Sequence, residues 1–221
     1  MLRNAVPLLS LLALAAVPAG AAPLVGRMEG DQYVSATGEF RIRAPVLTEL
    51  GGIIEDSETV VTFSDAYSTH ISIACFELDA TQRWEFDTRG RRDYLLYFFT
   101  DVVMANFTSR FPGAKIESAR YLPDLLEGAI IAYSLLPGGS NFAAPDIGVG
   151  PAAREPVTAK RGTMLFVRNR HVYAVSTELA ERATQRSTYK QTVEQENEQL
   201  SARLIALAGR MTFTRDQPRK P

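Results

Sequence analysis

The sequence predicts an α+β fold: a mostly antiparallel sheet covered by two long helices. Three observations predict it. Short apolar segments alternating with period two recur between residues 33 and 176, separated by turn residues. Two longer segments, one starting at Arg91 and one near the C-terminus, switch to a period near 3.6. The bulk composition, with 46% hydrophobic and 22% charged residues among 221 and a formal charge of −1, supplies one continuous core and excludes a disordered polyelectrolyte or a multi-span membrane protein.

The N-terminus carries one positive charge at Arg3, an apolar stretch over residues 5–17 and a small-residue exit at Ala19-Gly20-Ala21. This predicts a secretory signal peptide cleaved after Ala21, since the apolar part, interrupted by Pro7 and Ser10, is shorter than the roughly 20 residues a span needs. The expected location is therefore the periplasm or the extracellular space. No stable membrane insertion is expected after cleavage. Residues 22–214 are expected to form one domain, because no Pro/Ser-rich linker divides them, and residues 215–221 a disordered tail. A near-neutral chain gains little from phosphate neutralisation, which argues against nucleic acid as a partner. The single cysteine, Cys75, permits no internal disulfide and reads as a small apolar core residue.

Residues 24–32 form a lead-in of undefined structure. Tyr33 and Ser35, then Phe40, Ile42 and Ala44, predict two strands joined by a turn at Thr37-Gly38 and ended by Pro45. Residues 46–54 read as a connection. Strands follow at 59–63 and 70–78, with Ile71, Ile73 and Cys75 on one face and a hairpin loop at 64–68 between them. From Arg91 the helical period places Leu95, Phe98, Val102 and Ala105 on one stripe, with Leu96, Phe99, Val103 and Phe107 beside it, until Phe111-Pro112-Gly113. Strands return at 115–122 and 128–136, divided by a turn near Pro123-Asp124. Residues 141–158, rich in proline and glycine, read as a long surface loop of functional interest. A hairpin at 163–167 and 171–176 closes through Arg168-Asn169-Arg170. The last helix is expected to start at a capping box, Thr188 with Gln191, to bury Val193, Leu200, Leu204 and Leu207, and to stop at Gly209.

The hairpin Gly38-x-Phe40-x-Ile42-x-x-Pro45 after Tyr33-Val34-Ser35, followed by a strand pair, a helix, two more hairpin regions and a final helix, resembles the PsbP and Mog1-type proteins. The resemblance spans residues 32–213 in the order of elements. It implies an α/β/α sandwich on a mostly antiparallel sheet, and a non-catalytic accessory or adaptor that binds another macromolecule or a ligand. It carries over no functional residue, and fold alone does not fix function.

Candidate chemistries are few. Nucleophilic hydrolysis needs a base, and the only histidines are His70 and His171, both at strand starts. An envelope hydrolase using one of them is the alternative to a binding protein. Metal-ligand spacings are absent from the sequence, the run Glu55-Asp56-Ser57-Glu58 reads as a solvated acidic loop, and no metal or cofactor is expected. Glu77 and Asp79 share a side if their strand continues, too close for divided acid and base roles. Tyr94, Tyr97, Phe98 and Phe99 read as core. Arg89, Arg91 and Arg92 stand at the start of the aromatic helix, where its first amides carry partial positive charge, and are the candidate residues for binding an anion or an acidic partner surface.

Overall fold

The computed structural model describes residues 23–142, 157–185 and 188–214. The expected signal peptide, most of the 141–158 loop and the expected tail lie outside them. Eleven strands form two antiparallel sheets among these residues. The smaller joins β1 (Arg27–Glu29), β2 (Gln32–Val34), β3 (Phe40–Arg43) and the late β11 (Met211–Phe213) in the order β1-β2-β3-β11. The larger takes β4 (Ile53–Asp56), β5 (Val60–Ser64), β6 (His70–Glu77), β7 (Lys115–Leu122), β8 (Ala129–Leu136), β9 (Ala159–Arg168) and β10 (His171–Glu178) in the order β4-β5-β6-β10-β9-β8-β7.

Period-two alternation divides the larger sheet between two cores. On β9, Met164 and Phe166 face one side, while Leu165 and Val167 face the other. The first side packs against the smaller sheet, through Phe40, Ile42 and Phe213, and against the terminal helix, through Leu200 and Leu204. Ile71, Ile73 and Cys75 lie in this core, as their spacing predicts. Gly162 on β9 lets that helix approach closely, since a Cβ there would stand 3.0 Å from Leu204 Cδ1. The second side packs under helices α1 (Ala80–Arg89), α2 (Arg91–Phe98) and α3 (Met104–Arg110), through Tyr94, Leu95 and Phe98. The short α4 (Glu181–Thr184) and the long α5 (Val193–Ala208) complete the helices. The α+β class and its mostly antiparallel sheet are therefore as the sequence predicts.

Several local expectations need correction. α1 is a helix that hydrophobic periodicity does not reveal, because it buries no residue; its signal is instead a capping box between Asp79 and Gln82. Asp79 is thus an N-cap and not a strand neighbour of Glu77. The aromatic helix contains a π turn over Phe99–Val103, whose extra residue rotates everything after it. Val102, predicted on the buried stripe, is 46% exposed; Ala105 is also exposed, and Met104 takes the inward position. α5 starts at Thr192 with Gln195, not at Thr188 with Gln191; Val193 is 46% exposed and Glu196 sits in the core instead. β1 falls within the expected lead-in, β4 takes the end of the expected connection and the first half of the expected acidic loop, and β11 lies where neither helix nor strand is expected.

The acidic run around Asp56 is tied into the fold. Asp56 accepts hydrogen bonds from the amides of Val25 and Gly26 and from the Tyr33 hydroxyl, 2.7 to 2.9 Å away, so its oxygens are committed to the N-terminal segment. In the β5–β6 hairpin, burial raises the Asp65 carboxyl, but amides of Tyr67, Ser68 and Thr69 outweigh it and hold the pKa at about 2. A depressed carboxylate stabilises the fold above its unfolded pKa and ceases to do so as pH falls through the folded one. Asp65→Asn is therefore expected to lower the melting temperature at neutral pH, with the difference from wild type shrinking between about pH 4 and pH 2. A difference independent of pH over that range would contradict this role.

Candidate arginine cleft

Gly90, with φ of 77°, joins α1 to α2 at a sharp corner that standard side chains rarely adopt. The corner presents Arg83 from α1 and Arg91 from α2 to the turns at one end of the larger sheet. Arg83, Arg91, Arg168 and Arg170 line a cleft of about 350 Å³, with Asp87 and Glu127 as its acidic members. The floor is apolar, formed by Leu78, Phe86 and Val167.

Two of these arginines are fixed in place by main-chain carbonyls. Arg83 Nη1 donates to Leu78 O at 2.7 Å, and Arg91 Nη1 donates to Val167 O at 2.8 Å. The Arg91 guanidinium lies 5.4 Å from the Phe86 ring centroid and 3.4 Å from the exposed Glu127 carboxylate. The Arg168 guanidinium is turned to the opposite face of the sheet, where it stacks 4.6 Å over Phe213. Arg170 is exposed at the mouth.

The rim is conformationally strained. β9 and β10 are joined by two residues, Asn169 and Arg170, with φ of 51° and 65°, the two-positive-φ turn that favours glycine at its second position. Leu78 N donates to Arg170 O and so holds that turn. The β7–β8 turn carries Leu126 at φ 50° and Glu127 at 63°. These four are all the non-glycine positive-φ residues among those described, and three of them line the cleft. Each costs on the order of 1–2 kcal/mol, strain that concentrates at functional sites. Gly128 belongs to the same arrangement, since a Cβ there would come within 2.7 Å of Arg91 Cδ. Asn169 Nδ2 is buried with no acceptor.

Of the three arginines expected from the sequence, only Arg91 lines the cleft. Arg89 faces away, paired with Glu85 and stacked 4.4 Å over Tyr97, and Arg92 is exposed outside the lining. Arg83, Arg168, Asn169 and Arg170 were missed as site residues. The available signal was an arginine at the second position of a two-residue hairpin turn, where glycine is the usual choice.

The histidines lie elsewhere. His171 pairs with Glu77 at the opposite end of β6 from His70, roughly 20 Å away along the strand. Burial and the charge of Arg161 lower the pKa of His70, while Glu178 opposes them. Glu178 is 1% exposed and accepts from Ser140 Oγ, from Asn141 N at 3.0 Å and from Asn141 Nδ2 at 2.8 Å. His171 Nδ1 donates to Asn169 O at 2.9 Å. Among the described residues, neither histidine hydrogen-bonds a serine, threonine or cysteine. Burial pushes the Cys75 thiol up to about 12, so it is not a ready nucleophile. No group of three or more potential metal ligands occurs among the described residues.

No protein-family model matches the chain, and no curated protein matches it. Solved structures similar to it include cyanobacterial PsbP from Synechocystis sp. PCC 6803, at 12% identity and a TM-score of 0.49 over 89% of this chain and 99% of that one. The Ran-binding protein Mog1p from Saccharomyces cerevisiae is similar at 11% identity and a TM-score of 0.45, over 85% of this chain and 96% of that one. These likenesses are to the PsbP and Mog1 types named from the order of elements. They concern the outline of the fold, and no residue role is taken from them.

Proposed function

We propose that this is an exported, non-catalytic binding protein that takes an acidic group of a protein partner into the arginine cleft. The observation that carries the reading is one cleft lined by Arg83, Arg91 and Arg170, whose rim residues Glu127, Asn169 and Arg170 are held in strained backbone conformations. Arg83 and Arg91 are held by carbonyls before any ligand arrives, so little ordering remains to be done when a carboxylate docks against their planar forks. Asn169 Nδ2 is a further donor in want of an acceptor. Glu127 would yield Arg91 to the incoming acid. Trp84, the only tryptophan and 63% exposed, lies beside Arg83 and one turn from Asp87. Exposed tryptophan next to arginine is the composition of an interface anchor.

The single tryptophan also provides the test. Titration with an aspartate-rich peptide is expected to shift Trp84 fluorescence saturably, and Arg170→Glu to weaken binding by about tenfold or more. Arg92→Glu, outside the lining, is expected to change affinity little. Equal losses in both variants, or no saturable shift, would defeat the assignment. Titration with inorganic phosphate distinguishes general anion binding from recognition of a carboxylate-bearing partner. Export predicts a mature N-terminus after Ala21 by mass spectrometry, and recovery of Met1 or Leu2 would contradict it.

A further inference from the structure

A second surface lies on the other side of the molecule from the α1–α2 corner. β7 is an edge of the larger sheet, eight residues long and largely exposed, so among the described residues its outer main-chain groups have no strand partner. α5 packs over β9 and β10 and leaves a groove of about 600 Å³ between itself and β7. Glu194 and Glu198 stand on the helix wall of that groove, four residues apart and exposed, a like-charge pair that repels. Arg120, the cation in the lining, is engaged with Ser201 Oγ.

One further group in the groove lacks a partner. Asn197 Oδ1 is buried with no donor. Tyr133, only 3% exposed, lines the groove beside it. Buried polar groups are ordinarily satisfied, so an acceptor without a donor beside two carboxylates calls for a cationic donor.

We infer that the groove takes an extended segment with alternating basic side chains, added alongside β7 as an eighth strand of the larger sheet. Main-chain hydrogen bonds to β7 supply the register. Alternate residues of the added strand face α5, where lysine or arginine reaches Glu194, Glu198 and Asn197. The bulge between Ile116 and Ser118 spoils one end of the edge, which leaves 118–122 as the regular docking stretch.

The probe is a fluorescein-labelled peptide of alternating valine and lysine, read by polarisation and by amide hydrogen exchange. Saturable binding with slowed exchange over residues 116–122 is expected. Replacing the valines of the peptide by proline is expected to abolish binding, and Glu194→Lys with Glu198→Lys to weaken it about tenfold. Arg170→Glu is expected to leave it unchanged, which keeps this surface separable from the arginine cleft. Non-saturable binding, equal binding of the proline peptide, or binding without protection of 116–122 would overturn the inference. So would strong protection of these amides before peptide is added, as found if a second copy or another part of the chain already occupies the edge.

Discussion

Glu196→Ala is expected to destabilise the protein by about 3–5 kcal/mol, the cost of leaving a buried cation without its partner. Lys160 is fully buried in β9, and its Nζ meets Glu196 Oε2 at 2.9 Å and the Glu117 carboxylate. Glu196, only 3% exposed, also accepts from the Tyr189 hydroxyl at 2.7 Å and from Arg182 at 3.1 Å. Removing it strands Lys160 with Glu117 alone. For a domain of this size the loss corresponds to a melting temperature lower by about 10 °C. Replacing all three groups, as Lys160→Met with Glu196→Leu and Glu117→Gln, removes the cation with both its carboxylates and is expected to recover most of the loss. Urea unfolding of the three proteins decides the matter. Equal instability in the single and triple variants would show that packing, not charge pairing, holds this site.

Phe166→Ala is expected to cost about 3–5 kcal/mol, the ordinary range for emptying a buried aromatic position. Phe166 stacks on Tyr173 with centroids 4.9 Å apart and planes 6° apart. Phe213 meets both rings edge-on, at 5.9 and 5.2 Å, and Phe40 meets Tyr173 at 6.1 Å. Phe213 and Phe40 belong to the smaller sheet and the other two to the larger, so the cluster joins the sheets. Tyr173→Phe should behave oppositely. Its buried hydroxyl faces the Cys75 thiol and finds no hydrogen bond of good geometry, and removing it is expected to be neutral or to stabilise by up to about 1 kcal/mol. Thermal unfolding of both variants tests the pair, and a strongly destabilised Tyr173→Phe would show that the hydroxyl has a partner.

The site was less legible than the fold. Arg91 was visible because it stands in a charged cluster at a helix start, whereas Arg83 lies in a helix that buries nothing and so has no apolar stripe to read. Arg168 and Arg170 read as part of a turn. Only the pairing of β9 with β10, and of both with their neighbours, brings that turn to the α1–α2 corner. Likewise β11 can be recognised as a strand only beside β3, since three residues carry too little alternation of their own.

By itself the sequence determined the alternating strands, the amphipathic helices, the turns at Thr37-Gly38 and 64–68 and the inward face of β6. These follow from side-chain periodicity and turn chemistry, which act over a few residues. Tertiary structure alone decided the phase of the aromatic helix after its π turn, the burial of Lys160 against Glu117 and Glu196, and the meeting of Arg83, Arg91 and Arg170 in one cleft. Each depends on groups far apart in the chain, and a neighbour across the fold can make a buried charge or a positive φ tolerable where no local pattern would announce it.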